Sequence, residues 1–153
     1  MHPLVTWLEA DHDRLDKLLG EATRTPGAID LEPFGAFRRG LLRHIGIEEK
    51  ILFAAAKAAR GGEPVPEFAR LRADHARLTA LLVATPTPEA VAQIRAVLVP
   101  HNEVEEREGG TYAACLDALG AEADALLERI REVPEPPVRP YYDARKPIIL
   151  QDE

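Results

Sequence analysis

Four histidines and two glutamates in this chain have the types and spacing to hold metal ions: His12, His44 with Glu48, His75, and His101 with Glu105. In both HxxxE pairs the carboxylate follows its imidazole by four residues. On a helix that places it on the same face, ~6 Å along the axis and ~40° around it. Imidazole nitrogen and carboxylate oxygen together suit iron, manganese or zinc, and a donor set without thiolate disfavours a structural zinc knot.

The elements that must carry these residues are legible from proline and from hydrophobic period. Pro26 and Pro33, Pro64 and Pro66, and Pro86 and Pro88 mark three loops, because proline lacks the amide proton a helix interior needs. The spacing predicts helices over about 3–23, 33–60, 66–84 and 88–118, and a short one over about 121–132 after Leu119-Gly120. Each long segment has a stripe at alternating spacings of three and four, for example Leu8, His12, Leu15, Leu19 in the first. In the second, the stripe runs through His44 and Glu48 to Ile51 and Ala55. In the fourth, it runs through His101, Glu105 and Glu108 to Tyr112, Cys115 and Leu119. Short connections between such helices predict an all-α, up-down-up-down antiparallel four-helix bundle over residues 1–133. The tail, 134–153, holds five prolines and no helical period, so it is expected to be extended. Its apolar end, Ile148-Ile149-Leu150, favours docking on the chain's own bundle ahead of another chain.

A repeat runs through the chain. ADHDRLDKLL (10–19) returns as ADHARLTALL (73–82), with seven of ten positions identical, and HIGIE (44–48) is matched in spacing by HNEVE (101–105). Two helix hairpins related in this way pack about a pseudo-twofold axis. At ~1.5 Å rise per residue the four histidines come to one level of the bundle, facing inward. Two unpaired carboxylates buried among them would cost several kcal/mol, and the stripes offer no arginine to pair with them. A pair of divalent cations resolves the conflict. Glu48 and Glu105 would bridge both ions, with His12 and His44 on one and His75 and His101 on the other, an expectation that follows from helix pairing within each repeat. An oxo, hydroxo or water bridge would add a donor and leave a position open for a small diatomic ligand or peroxide.

With the order H…HxxxE…H…HxxxE at His12, His44/Glu48, His75 and His101/Glu105, and with HIGIEEKILF in the second helix, the sequence resembles the hemerythrin-like, or HHE cation-binding, family over about residues 5–118. The resemblance implies a four-helix bundle with two non-haem irons. It also implies a protein that binds or senses dioxygen, nitric oxide or iron status. The alternative is a di-iron enzyme acting on peroxide or nitric oxide, or in iron-cluster repair. A bundle stabilised by a redox-inert metal is a third reading, and the residues leave enzyme and non-enzyme open. The chain departs from the oxygen carriers of the family. Leu71 and Thr79 stand where a fifth histidine would be, Glu105 replaces an aspartate spaced one residue further, Ala54 follows Leu52-Phe53, and Gly109-Gly110 replaces large apolar residues. These differences point to the bacterial variant with two histidines per metal.

Composition narrows the rest. The 153 residues suit one domain, and the net charge of -7 argues against nucleic acid as a partner. No apolar run is long enough for a membrane span, and MHPLVTWLEADHD lacks the regions of a signal peptide. Cys115 has no second cysteine to pair with, so a cytoplasmic setting is expected. The chain contains no serine, hence no Ser-His-Asp triad, and no HExxH, CxxC or phosphate loop. Glu9-x2-His12 is the one ExxH, which leaves the ferritin-like ligand set incomplete. Asp11, Asp74, Glu49 and Glu106 read as rim charges or as acceptors for histidine N–H groups. His2 reads as solvated, Trp7, Tyr112 and Cys115 as core, and Pro100 as a kink that aims His101.

Overall fold

A computed structural model describes residues 1–143; the Ile148-Ile149-Leu150 expectation lies outside the described residues. The helices are α1 (Pro3–Ala22), α2 (Leu31–Ile47), α3 (Phe53–Ala59), α4 (Phe68–Leu81), α5 (Pro88–Glu106), α6 (Thr111–Leu119) and α7 (Ala123–Arg131). A π-helical turn, Glu48–Leu52, joins α2 to α3, and a 3-10 turn, Gly120–Glu122, leads into α7. No strand occurs among the described residues. The four long helices form a bundle in which α1 packs on α2 and α4 on α5.

Local chemistry starts these helices where the prolines suggested. Pro3 and Pro88 occupy first-turn positions, where a missing N–H is harmless. Asp30 caps α2 through Glu32 N at 3.2 Å, and Thr87 caps α5 through Ala90 N at 3.0 Å. His2 Nδ1 accepts from Leu4 N at 2.9 Å, so this fifth histidine serves as a cap, with Nε2 2.9 Å from Asp124.

Two boundaries differ from the sequence reading. The second helix holds a π turn, and its inward stripe moves by one residue: Leu52 and Ala56 are buried, while the expected Ile51 and Ala55 are only half-buried. A π turn admits one extra residue, which accounts for the shift. The expected helix 88–118 is cut at Arg107–Gly110. Glu108, expected to face inward, sits in this break and is exposed. The chain turns there with Gly109 at φ +71°, a left-handed conformation that suits glycine. At Gly110 a Cβ would meet Val104 O at 2.5 Å and Arg107 O at 2.8 Å, so no larger residue fits. Pro100 lies inside α5, and the helix continues through it to Glu106.

The buried apolar residues separate into two clusters. One contains Leu4, Leu8, Ile47, Leu71 and Val104, together with the inner faces of α6 and α7. The other contains Leu15, Leu19, Phe34, Phe37, Leu41, Leu78 and Leu98. Along each long helix the chain passes from one cluster to the other, and a histidine stands at the crossing: Leu8–His12–Leu15, Leu41–His44–Ile47, Leu71–His75–Leu78 and Leu98–His101–Val104. Residues 133–143 run without regular structure from the first cluster, where Val133 packs, to the second, where Tyr141 packs. Arg38 donates to Arg139 O at 2.8 Å and stacks over the Tyr141 ring, and Tyr142 N donates to Val83 O at 2.9 Å.

Candidate metal centre

The six sequence-selected residues meet in the layer between the two clusters. His12, His44, His75 and His101 are all buried, and Glu48 and Glu105 are 0 % exposed. Their donor atoms form two overlapping groups, His12/His44/Glu48/Glu105 and Glu48/His75/His101/Glu105, each with all atoms within 4.8 Å of one another. Both carboxylates belong to both groups. Glu48 presents Oε2 to His44 Nε2 at 3.2 Å and Oε1 to His75 Nε2 at 3.0 Å. Glu105 presents Oε1 to His12 Nε2 and Oε2 to His101 Nε2, each at 3.2 Å. The π turn begins at Glu48 itself and Glu105 lies next to the end of α5, so each shared carboxylate stands where its helix changes course.

The outer nitrogens of the imidazoles are fixed by carboxylates, and the pattern repeats with the chain. His44 Nδ1–H donates to Asp11 at 2.8 Å, and His101 Nδ1–H donates to Asp74 at 3.0 Å, both within one hairpin. His75 Nδ1–H donates to Glu49 at 2.8 Å and His12 Nδ1–H to Glu106, both across hairpins. The residue just before each hairpin's first histidine and the one just after its glutamate therefore orient all four rings. With Nδ1–H committed outward, each Nε2 turns toward the centre, the arrangement that metal-ligating histidines adopt.

The counter-charges in the cluster come from its own histidines. Among the described residues the ion-pair partners of Glu48 and Glu105 are histidines, and no arginine or lysine reaches them. Burial opposes charge on the histidines, yet facing carboxylates override it. Glu48 and Asp11 hold His44 up to about 10, and Glu105 does the same for His101, up to about 9. His12 and His75 are raised by their glutamates against the same burial penalty. Burial also works against the Glu48 carboxylate, but His44 and His75 hold it well below the usual range. Glu48 Oε1, Glu105 Oε2 and His75 Nε2 are buried and, although each faces another donor of the cluster at 3.0 or 3.2 Å, none makes a hydrogen bond of good geometry. Buried polar atoms are rarely left so, and three convergent donor atoms without such bonds fit a cation.

Tyr112 is buried, as its stripe suggested, but its hydroxyl belongs to this layer. It donates to Glu48 Oε2 at 2.5 Å and lies 3.0 Å from Glu105 Oε1, 3.1 Å from His12 Nε2 and 3.3 Å from His44 Nε2. Burial and the two carboxylates hold its phenol well above the ordinary tyrosine range. The visible sign in the sequence was Gly109-Gly110, which breaks the helix and resets the face that follows. Cys115 remains core: burial pushes its thiol up to about 12, which removes it as a nucleophile at neutral pH.

Above the four imidazoles, on the side of the second apolar cluster, lies a small enclosed cavity. It is walled by the histidines with Leu15, Leu41, Ile45, Leu78, Leu98 and Asn102. Its volume of about 10 Å³ is room for one water-sized molecule.

The family model described as hemerythrin HHE cation binding domain matches residues 4–132. No curated protein and no solved structure matches this chain. No helix among the described residues is long and apolar enough to cross a membrane.

Proposed function

This chain belongs to the hemerythrin HHE cation-binding family, and from that premise we propose that it holds two iron ions and binds or senses a small diatomic molecule with them. His12 and His44 would hold one ion and His75 and His101 the other, with Glu48 and Glu105 shared. The observation that carries this reading is the pair of overlapping donor groups with convergent atoms that make no hydrogen bond of good geometry. Manganese or zinc would fit the same donors, and iron is favoured by the family. The order in which the helices cross the two apolar clusters supports an up-down-up-down bundle, with every histidine reached from a different helix.

Iron would supply a redox-active centre with positions free for an exogenous ligand. The protein's own residues do the remainder. The carboxylates at Nδ1 keep all four imidazoles in one tautomer and orientation. The leucines and Ile45 over the histidines exclude bulk water and admit only a molecule about the size of water. A cavity of this scale suits a small diatomic molecule better than an organic substrate.

The alternative, a di-iron enzyme acting on peroxide or nitric oxide or in iron-cluster repair, is favoured by the absence of a fifth histidine. Leu71 is packed in the core and Thr79 is exposed, so neither closes a metal position. Anaerobic purification, metal analysis, and an optical spectrum during addition of air, nitric oxide and peroxide test both readings. Two irons per chain and a reversible, stoichiometric spectral change are expected. Turnover of peroxide or nitric oxide with irreversible oxidation would favour the enzyme. Zinc alone, with no iron uptake on reconstitution, would overturn the proposal.

A further inference from the structure

The six donors leave one polar group at the centre unused, and its surroundings are unequal. The Tyr112 hydroxyl touches one atom of each residue in the His12/His44/Glu48/Glu105 group, at 3.1, 3.3, 2.5 and 3.0 Å in that order. A phenol placed only to hydrogen-bond a carboxylate would need one of these contacts. Adjacent donors around a shared ion, each ~2.0–2.2 Å from it, sit about 3 Å from one another. The hydroxyl stands at that spacing from three of the four, and closer still to Glu48 Oε2. In the other group, His75 Nε2 makes no hydrogen bond of good geometry, and among the described residues no phenol or hydroxyl reaches His75 or His101.

The break after α5 explains how a tyrosine comes to this position. Gly110 packs against the Val104 and Arg107 carbonyls, and Thr111 Oγ1 donates to Pro66 O at 3.3 Å. α6 therefore starts in a fixed place with Tyr112 in its first turn. The equivalent position in the first hairpin, 57 residues earlier, is Ala55, whose methyl offers no donor and packs against the first apolar cluster.

We propose that Tyr112 is a ligand of the ion held by His12 and His44, so that the two metal positions are chemically different. The inference rests on the two-metal reading above. On binding, the phenol O–H bond breaks, its proton leaves to solvent, and the phenolate oxygen bonds the metal; no electron changes hands. The His12/His44 ion then has five protein donors and the His75/His101 ion four. An exogenous small molecule accordingly meets the more open ion beside His75 and His101.

The test is spectroscopic. The full chain is loaded with ferrous iron, oxidised in air, assayed for iron, and measured by visible absorption and resonance Raman. With two irons bound, a broad iron–phenolate charge-transfer band and resonance-enhanced tyrosinate ring modes are expected. Both should be absent in Tyr112→Phe and retained in Tyr141→Phe and Tyr142→Phe, which change the chain's other two tyrosines. Should Tyr112→Phe lose its iron, the wild-type spectrum with ring-deuterated tyrosine decides alone. A wild-type chain with two irons and no tyrosinate modes overturns this inference and leaves the two-metal reading standing. A chain that takes up no iron overturns both.

Discussion

In the first hairpin the chain after the shared carboxylate stays helical, absorbing one extra residue in the π turn Glu48–Leu52 and running on as α3. In the second hairpin the chain stops one residue after Glu105, turns through Gly109 and Gly110, and restarts as α6. Up to the carboxylates the halves are copies, down to the Asp11–His44 and Asp74–His101 bonds. Beyond them one half packs Ala55 against the first apolar cluster and the other sends Tyr112 into the centre. Duplication thus set the donors, and local backbone breaks set the difference between them. Both departures sit beside a glutamate shared by the two donor groups, and π turns are frequent at functional sites.

The largest expected effect concerns what the halves share. Glu48→Gln and Glu105→Gln each remove a charge that the proposed pair of metals would share, so each should reduce bound iron from two per chain to one or none, read by metal analysis after desalting. If one variant keeps both irons, the equivalence of the two carboxylates fails. Next come the turns. Gly110→Ala forces a Cβ against two carbonyl oxygens and should destabilise the fold by about 1–3 kcal/mol in urea unfolding. Unchanged stability would mean that the second hairpin's turn is not the rigid device described.

Smaller still are the acceptors behind the histidines. Asp11→Asn and Asp74→Asn should each weaken metal affinity by about 10–100-fold in competition with a chelator. Asp11, buried and also paired with Arg14 at 2.9 Å, should show the larger loss. Equal losses would mean that the two hairpins differ only beyond their glutamates. The smallest effect is Gly46→Ala in α2, where a Cβ meets nothing within 4 Å. Removing a flexible glycine from a helix interior should stabilise the chain by about 0.4–1 kcal/mol.

The convergence of the six donors was legible because it depends on quantities that sequence carries well. Helix rise is constant, so residue counts from the loops put His12, His44, His75 and His101 at one height. Their inward direction followed from neighbours such as Leu8 and Leu15 on the same stripe. The π turn was not legible, since EEKIL has nothing in composition that separates it from ordinary helix. As a result Ile51 and Ala55 were placed inward where Leu52 and Ala56 are. Gly109-Gly110 was visible, but a stripe counted straight through it put Glu108 inside and left Tyr112 as packing. A period describes a helix only while the helix lasts, and this one ends at Glu106.

The polar layer between the two apolar clusters has a mechanical consequence. Leu8 and Leu15, or Leu71 and Leu78, lie on opposite sides of it, so each long helix is anchored in two separate pockets of oil joined by a belt of charge. The cations proposed for that belt would act as rivets through all four helices. Removing them would loosen the joint rather than either end, so what the middle holds would be felt along the whole length of the bundle.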